Sequence, residues 1–323
     1  MSAGPGRVAA LDLGTNTFLA LVAEVDARRE LRAVHDAYRT PRLGEGLART
    51  GRIGELAMER GIAALRELLE GVRANGVAAP ERVRAVGTAV FRRAANAAEF
   101  VERARRECGL AIEVVSGERE GELSFAAAAA AVRGSGHDVQ VTPSDVRVID
   151  VGGGSTELAW AGGEQRVSAP VGAVVLSERH LQGTDAAWSD AAWRAAEAEV
   201  AEALATAAAG RVLPPPSSGV TVALGGTAAN LAALEMGWSA FDAVRTEGRA
   251  VTAAGARQWA ERLRVLDSAG RRRFPVEPDR ASILPAGLVC LAAALERLGA
   301  SRATASGRGL RYGLAWKMLR GEA

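Results

Sequence analysis

The sequence contains no run of 18 or more apolar residues, and only 4% of its residues are aromatic. Without a long apolar run, no membrane span is predicted. The net charge is only +2, which excludes a strongly basic surface, so neither nucleic acid nor a membrane is expected as a partner. The first residues, MSAGPGR, run directly into a strand-like segment. They do not resemble a secretion signal, and a cytoplasmic protein is expected.

Cysteine is also scarce. Cys108 and Cys290 lie far apart and lack the spacing of metal ligands, which predicts reduced thiols in a cytosolic protein. Because the overall charge is so small, a polyanionic ligand would have to be bound by a local cluster of arginines and backbone N–H groups.

The length and the apolar patterns predict two α/β domains. At 323 residues the chain exceeds the size at which one core stops growing. Apolar residues recur at helical spacing in some segments, and short apolar runs typical of strands lie between them. The predicted order is a helix at Ile53–Gly71, a strand at Val83–Val86, a helix at Ala94–Cys108, a strand at Ile112–Val115 and a helix from about Glu118. Such alternation favours a mixed sheet in each half.

One pattern occurs twice in the chain. LDLGTNT at 11–17 and IDVGGGS at 149–155 each combine an apolar strand that ends in Asp with a glycine-containing turn and a second strand. Each predicts a β-hairpin with an acidic tip. A structural hairpin has no need of aspartate at the last strand position, so the repeat of Asp12 and Asp150 favours a functional role over turn capping.

Glycine turns follow both aspartates and a third strand. Glycine lets backbone N–H groups approach an anion closely. The turns at 14–17 and 152–156, and Gly225–Gly226 before a helix predicted at Ala229, are therefore candidate phosphate sites. Asp12 and Asp150 are candidate ligands for Mg²⁺, or for Mn²⁺, because Mg²⁺ accepts sparse carboxylate ligation completed by water and phosphate oxygens.

Further motifs follow one another in a specific order over nearly the whole chain. They are DLGTNT at 12–17, LGEGL at 43–47, GTAVFRRAAN at 87–96, SGEREGEL at 116–123, IDVGGGSTEL at 149–158, GAVVLSER at 172–179, LGGTAANLAAL at 224–234 and DRASILPAG at 279–287. This set resembles the exopolyphosphatase/guanosine pentaphosphate phosphohydrolase (Ppx/GppA) family, a branch of the actin–hexokinase superfamily.

The resemblance assigns roles to individual residues. The family's catalytic glutamate matches Glu120, its phosphate-binding Arg and Asn match Arg92 and Asn96, and an acidic metal or water organiser matches Glu157. The serine of the same segment, Ser116, also fits a helix N-cap. The predicted phosphate-binding residues are Gly14, Thr15, Asn16, Thr17, Arg92, Asn96, Gly152, Gly153, Gly154, Ser155, Thr156, Gly225 and Gly226, and the predicted metal ligands are Asp12, Asp150 and Glu157.

The family implies two actin-like (ribonuclease H-like) domains, each a mixed β-sheet flanked by helices, with a cleft between them. We assign residues 1–132 to the first domain and 133–302 to the second, and expect the segment from about 303 to 323 to pack back on the first. The implied reaction is release of terminal orthophosphate from inorganic polyphosphate by metal-assisted attack of water. The oligomeric state is left open, with a homodimer as the candidate assembly.

Three alternatives remain open at this stage. Guanosine pentaphosphate has the same terminal phosphoanhydride, a kinase or ATPase would share the glycine turns, and a non-catalytic sensor of polyphosphate or nucleotide would need no Glu120. The sensor is motivated by departures from the family pattern at Glu122, Ser282 and Tyr312.

Overall fold

The computed structural model describes residues 6–27, 29–134, 142–181, 185–215 and 219–322. The chain divides into two compact units, the first made of Met1–Ser135 with Leu310–Ala323 and the second of Gly136–Gly309. The predicted boundary after residue 132 falls inside a helix that continues to Gly134. The returning segment begins at Leu310 rather than at about 303, because residues 302–306 form a strand of the second unit.

Strands and helices alternate along the chain, as the apolar pattern predicted. The strands are β1 Val8–Leu13, β2 Phe18–Val25, β3 Leu31–Arg39, β4 Val83–Gly87, β5 Ile112–Val114, β6 Val146–Val151, β7 Thr156–Trp160, β8 Gln165–Ala169, β9 Val220–Leu224, β10 Ala250–Thr252 and β11 Arg302–Ser306. The helices are α1 Leu47–Thr50, α2 Glu55–Ala74, α3 Ala89–Arg93, α4 Ala97–Cys108, α5 Gly117–Gly134, α6 Ala173–His180, α7 Asp190–Ala207, α8 Gly225–Glu235, α9 Ala243–Thr246, α10 Ala253–Arg264, α11 Ser268–Arg271, α12 Leu284–Arg297 and α13 Leu310–Arg320. Short 3₁₀ turns occupy Pro80–Arg82, Pro143–Asp145, Ala161–Gly163 and Pro278–Arg280.

The two units share one sheet topology. Among the described residues the first sheet has the order β3-β2-β1-β4-β5, and the second has β10-β11-β9-β6-β7-β8. In each, an antiparallel meander of three strands joins two further strands that run parallel to its first strand. The second sheet adds β10 as an antiparallel edge strand. The predicted fold class, two α/β units with mixed sheets flanked by helices, is confirmed.

The alternation of side chains along β1 sets the direction of its aspartate. Successive side chains of a strand point to opposite faces of the sheet. Leu11 and Leu13 pack into a core with α2 and α4, whereas Val8 and Ala10 pack into a core with α5 and α13. Asp12 continues the second series, so its carboxylate faces the layer formed by α5 and α13.

A glycine lets the returning helix α13 approach α5. A Cβ atom on Gly313 would overlap the carbonyl oxygen of Leu123, so a larger residue would force the two helices apart. The same pair of helices is joined by Lys317, which donates to Glu122, and Glu122 also accepts from Arg119 at 2.8 Å. The departure from the family pattern at Glu122 therefore has a structural partner in the only lysine of the chain.

Arg271 is a fully buried arginine in the second unit, with 0% of its surface exposed. Its guanidinium donates to four backbone carbonyl oxygens, those of Leu263 at 3.0 Å, Ala281 at 3.3 Å, Ser282 at 3.2 Å and Ala186 at 3.0 Å. Burial lowers the pKa of this guanidinium to about 10, although Asp267 and Asp185 oppose the shift. The arginine thus joins three separate stretches of chain through hydrogen bonds.

Both cysteines are free thiols; Cys290 is buried and Cys108 is partly exposed. Complete burial raises the pKa of the Cys290 thiol to about 12, so this sulfur is not a nucleophile at neutral pH. No helix among the described residues is both long and apolar enough to cross a lipid bilayer.

Candidate active site

The two acidic hairpins close with the same turn. In the first, the N–H of Gly14 donates to the carbonyl oxygen of Thr17 at 3.0 Å, and in the second the N–H of Gly152 donates to that of Ser155, also at 3.0 Å. A Cβ on either glycine would come within 3.0 to 3.2 Å of the accepting oxygen. Both turns therefore favour glycine directly after the strand, and the predicted pair of hairpins is confirmed.

The first turn is lined by the segment that follows β3. The N–H of Arg42 donates to the carbonyl of Asn16 at 3.0 Å, and the N–H of Gly44 donates to that of Thr15 at 2.8 Å. The Asn16 amide donates to the Thr17 hydroxyl at 3.3 Å. The Thr15 side chain is buried, and its hydroxyl has no hydrogen-bond partner among the described residues.

Glu120 lies in the first turn of α5. Ser116 accepts the N–H of Arg119 at 3.2 Å, which confirms the predicted helix cap. The Glu120 carboxylate is buried and lies 2.6 Å from Nη1 of Arg92. The same Nη1 donates to the carbonyl of Val115 at 2.8 Å, so the guanidinium holds the carboxylate against the end of β5. The structure therefore brings the predicted pair Arg92 and Glu120 together.

A second arginine, Arg311 of α13, lies close enough to Asp12 for their charges to interact. Asp36 binds it in a bidentate manner, with distances of 2.9 and 2.8 Å, and the Tyr312 hydroxyl donates to Asp36 at 2.9 Å. Burial disfavours the charge of Arg311, but Asp36 and, to a smaller extent, Asp12 outweigh burial and raise the pKa of the guanidinium. Tyr312, where the sequence departs from the family pattern, thus also has a hydrogen-bond partner in Asp36.

The second unit presents a row of polar side chains across its sheet. Asp150 on β6 lies directly opposite Glu157 on β7, and Glu157 lies opposite Ser168 on β8. Side chains directly opposite each other on antiparallel strands are neighbours on one face. The Ser168 hydroxyl donates to Glu157 at 2.7 Å. The equivalent position in the first hairpin is Leu19, which pairs with Asp12, so only the second hairpin places two carboxylates directly opposite each other.

The third glycine turn lies beside Asp150. Helix α8 begins at Gly225, earlier than predicted, and Gly225 has φ of 86°. A Cβ there would lie 3.5 Å from Oδ1 of Asp150. The guanidinium of Arg280 occupies the space that a side chain on Gly226 would need, and Glu277 fixes it at 2.6 Å. The first turn of α8 therefore lies beside the Asp150 carboxylate at Gly225 and beside the Arg280 guanidinium at Gly226.

Two predicted phosphate ligands have other partners. The Asn96 amide donates to the carbonyl of Ile53 at 2.9 Å and accepts its N–H at 2.8 Å, so Asn96 supports the loop before α2. Thr156 is completely buried and donates to the carbonyl of Val171 at 2.7 Å. It faces the core because it alternates with Glu157 along β7. Both residues therefore have structural contacts, and their part in phosphate binding stays a prediction.

Comparison with known proteins agrees with the family resemblance of the sequence motifs. The family model described as the Ppx/GppA phosphatase family matches residues 21–322. The chain belongs to the Ppx/GppA phosphatase family. Exopolyphosphatase 2 of Mycobacterium tuberculosis is 33% identical to this Ppx/GppA chain over 96% of it and 97% of the relative.

Solved structures of Ppx/GppA relatives have a similar fold. The Ppx/GppA family member of Aquifex aeolicus has a TM-score of 0.75 and 30% identity, and the alignment covers 98% of both chains. An exopolyphosphatase-like protein has a TM-score of 0.85 and 26% identity over 98% of this chain and 100% of that one.

The oxygen donors of this Ppx/GppA chain fit a hard divalent ion such as Mg²⁺ or Mn²⁺. Among the residues that the structure describes, no group of three or more His, Cys, Asp or Glu side chains could hold a metal ion. Mg²⁺ does not need such a group, because one or two carboxylates suffice when water and substrate phosphates complete the octahedron. The neighbouring carboxylates of Asp150 and Glu157 meet that requirement with oxygen donors alone.

In this Ppx/GppA chain, the hairpin turn at 152–155 depends on Gly172, the glycine at the start of α6. The N–H of Ala173 donates to the carbonyl of Gly152 at 3.0 Å. A Cβ on Gly172 would lie 2.6 Å from the Gly152 oxygen and 2.7 Å from the Ser155 nitrogen. All of these obstacles are backbone atoms, so the turn itself would have to move.

We expect Gly172→Ala to lower the stability of the protein by about 1–3 kcal/mol, the usual cost of overpacking, and to displace the 152–155 turn. Thermal unfolding measures the first effect, and phosphate binding measures the second. Gly54→Ala is the matched control, since a Cβ there meets nothing within 4 Å and its φ is −72°. Equal melting temperatures for the two variants would contradict the close approach.

Proposed function

We propose that this chain is an exopolyphosphatase, which releases terminal orthophosphate from inorganic polyphosphate by attack of water. The observation that carries the proposal is the buried Glu120 carboxylate held at 2.6 Å by Arg92 at the start of α5. A binding protein has no need of a buried carboxylate beside a site for a polyanion, since the like charges repel. Family membership and the name of the mycobacterial relative support the same activity.

In this proposal, the Glu120 carboxylate accepts a hydrogen bond from a water molecule and directs its oxygen toward the terminal phosphorus. A new P–O bond forms to water as the anhydride P–O bond on the opposite side breaks. The bond electrons leave with the shortened polyphosphate, and the proton of water is lost to the carboxylate or to solvent. Phosphoryl transfer of this kind depends mainly on positioning and charge stabilisation.

Arg92 has two roles in the proposal. It fixes the direction of the Glu120 carboxylate, and its positive charge offsets that of a phosphoryl oxygen. Backbone N–H groups are further phosphate-binding candidates within each unit: those of the turn at 14–17 in the first unit, and those of the turn at 152–155 and of the first turn of α8 in the second. The place of the Arg280 guanidinium over Gly226 favours Arg280 as a further phosphate contact.

Asp150 and Glu157 would hold a Mg²⁺ or Mn²⁺ ion, and Asp12 is the weaker candidate because no second carboxylate pairs with it across its hairpin. When bound, such an ion neutralises phosphate charge and polarises the phosphoryl oxygens. The cytoplasmic location expected from the sequence and the candidate homodimer stay predictions.

The test is phosphate release from polyphosphates of defined length, with Mg²⁺ or with EDTA. We expect release with Mg²⁺, loss of release with EDTA, and recovery on adding back Mg²⁺. Guanosine pentaphosphate and ATP are measured in parallel. Faster release from guanosine pentaphosphate would replace the proposed substrate, and binding of polyphosphate without any release would indicate the sensor instead.

A further inference from the structure

Arg42 lies beside the first phosphate-binding turn. Its N–H donates to the carbonyl of Asn16 at 3.0 Å, and two residues later Gly44 donates to that of Thr15 at 2.8 Å. The segment 42–44 therefore runs along the turn and is tied to it at both ends.

The backbone of Arg42 is strained. Its φ is 52°, in the left-handed region that glycine adopts freely and residues with a Cβ adopt at a cost. Strained residues persist where the surrounding structure enforces them, and they are concentrated at functional sites. Glycine would be the less strained residue at position 42, so the presence of arginine points to a use for its side chain.

The side chain also lacks a partner. No hydrogen bond, ion pair or ring contact of the Arg42 guanidinium occurs within the described ranges, whereas nearby arginines are paired: Arg39 with Glu67 at 2.5 Å, and Arg60 with Glu45 at 2.5 Å. On the adjoining turn, the Thr15 hydroxyl is buried at 3% exposure and likewise has no partner in the part of the chain described.

The Thr15 hydroxyl is a second, independent sign of a ligand. A Cβ on Gly44 would overlap the Thr15 methyl group, so the methyl packs against the loop. A buried hydroxyl without a partner costs free energy that an incoming acceptor would recover. A half-buried guanidinium and an unpartnered hydroxyl on adjoining segments together suit an anion with several oxygen acceptors, which is the character of a phosphoryl group.

We propose that Arg42 is a substrate-binding residue. It contacts phosphoryl oxygens of a polyphosphate molecule bound at the Thr15 turn, and the Thr15 hydroxyl donates a hydrogen bond to the same polyphosphate. This assignment deepens the proposed function and depends on it for the identity of the substrate. Because Arg42 is not part of the Glu120–Arg92 pair, its effect falls on substrate affinity rather than on turnover.

The test compares Arg42→Gly, Arg42→Lys and the control Arg39→Ala by measuring the Kd for polyphosphate, the KM and kcat for phosphate release, and the melting temperature. Arg42→Gly removes the side chain and also relieves the strained φ. We expect its Kd and KM to rise roughly tenfold or more, its kcat to stay within about twofold, and its melting temperature to be equal or higher. Arg42→Lys retains the charge without the bidentate geometry and should be intermediate. Arg39→Ala should match the wild type.

A Kd within about twofold of the wild type for Arg42→Gly would overturn the assignment. So would weaker binding accompanied by a lower melting temperature, which would show a structural role. If the wild type binds polyphosphate but releases no phosphate, the proposed hydrolase fails while the Kd values still decide the role of Arg42. A wild type without affinity for polyphosphate overturns both.

Discussion

Replacement of Glu120 by Gln is expected to lower kcat for phosphate release from polyphosphate by a factor of about 10²–10⁴, the usual contribution of a positioned acid–base group. Glutamine has nearly the same shape as glutamate, but it cannot form the ion pair with Arg92. It loses the negative charge that attracts the proton of the attacking water. Steady-state assays at saturating polyphosphate measure the effect.

Glu118→Gln is the matched control, because it makes the same chemical change on the same helix at an exposed position. We expect its kcat to remain within about twofold of the wild type. The affinity of Glu120→Gln for polyphosphate is expected to be equal or higher, because one negative charge near the ligand is removed. A variant that turns over at the wild-type rate would exclude Glu120 as the water-directing group.

Arg271→Met is expected to destabilise the second unit by about 3–5 kcal/mol. Methionine fills similar space, but it donates no hydrogen bond. Four carbonyl oxygens therefore lose their donor; those of Leu263, Ala281 and Ser282 are buried, and unsatisfied buried groups cost about 1–3 kcal/mol each before relaxation. Urea denaturation followed by tryptophan fluorescence measures the change, since Trp160, Trp188, Trp193, Trp238 and Trp259 all lie within residues 136–309.

The neighbouring Arg273 provides the comparison for this variant. It is exposed, so Arg273→Met should change the free energy of unfolding by no more than about 0.5 kcal/mol. Arg271→Lys should recover part of the loss, since one ammonium group reaches fewer of the carbonyls. Similar unfolding midpoints for the methionine variants at 271 and 273 would contradict the structural role of the buried guanidinium.

The features that the sequence predicted correctly are those encoded over short distances. Asp12 and Asp150 each lie near the end of an apolar strand, two residues before a glycine, and this local order alone determines the hairpin, the turn and the partly exposed carboxylate. Strands β4 and β5 and helices α2, α4 and α5 were predicted for the same reason, whereas β3, α1 and α3 were not predicted. Glu120 and Arg92 required the family motif, because nothing in their own segments shows that they meet.

The features that the sequence did not predict depend on distant partners. Asn96 binds the backbone of Ile53, and the hydroxyl of Thr156 faces a carbonyl of the loop before α6. No property of either side chain distinguishes such an acceptor from a phosphate oxygen. The pairing of Glu122 with Lys317 spans 195 positions of the chain. In the sequence, the only indication of this pair was that the chain contains a single lysine.

The packing of α13 on α5 also has a consequence for biosynthesis. The ribosome makes residues 117–134, which carry Glu120, long before it makes residues 310–320, and the whole second unit is translated between them. Until α13 emerges, the apolar side of α5 around Leu123 lacks its covering helix. The nascent first unit therefore stays incomplete throughout translation of the second, and a chaperone that shields apolar helices would find its binding surface there.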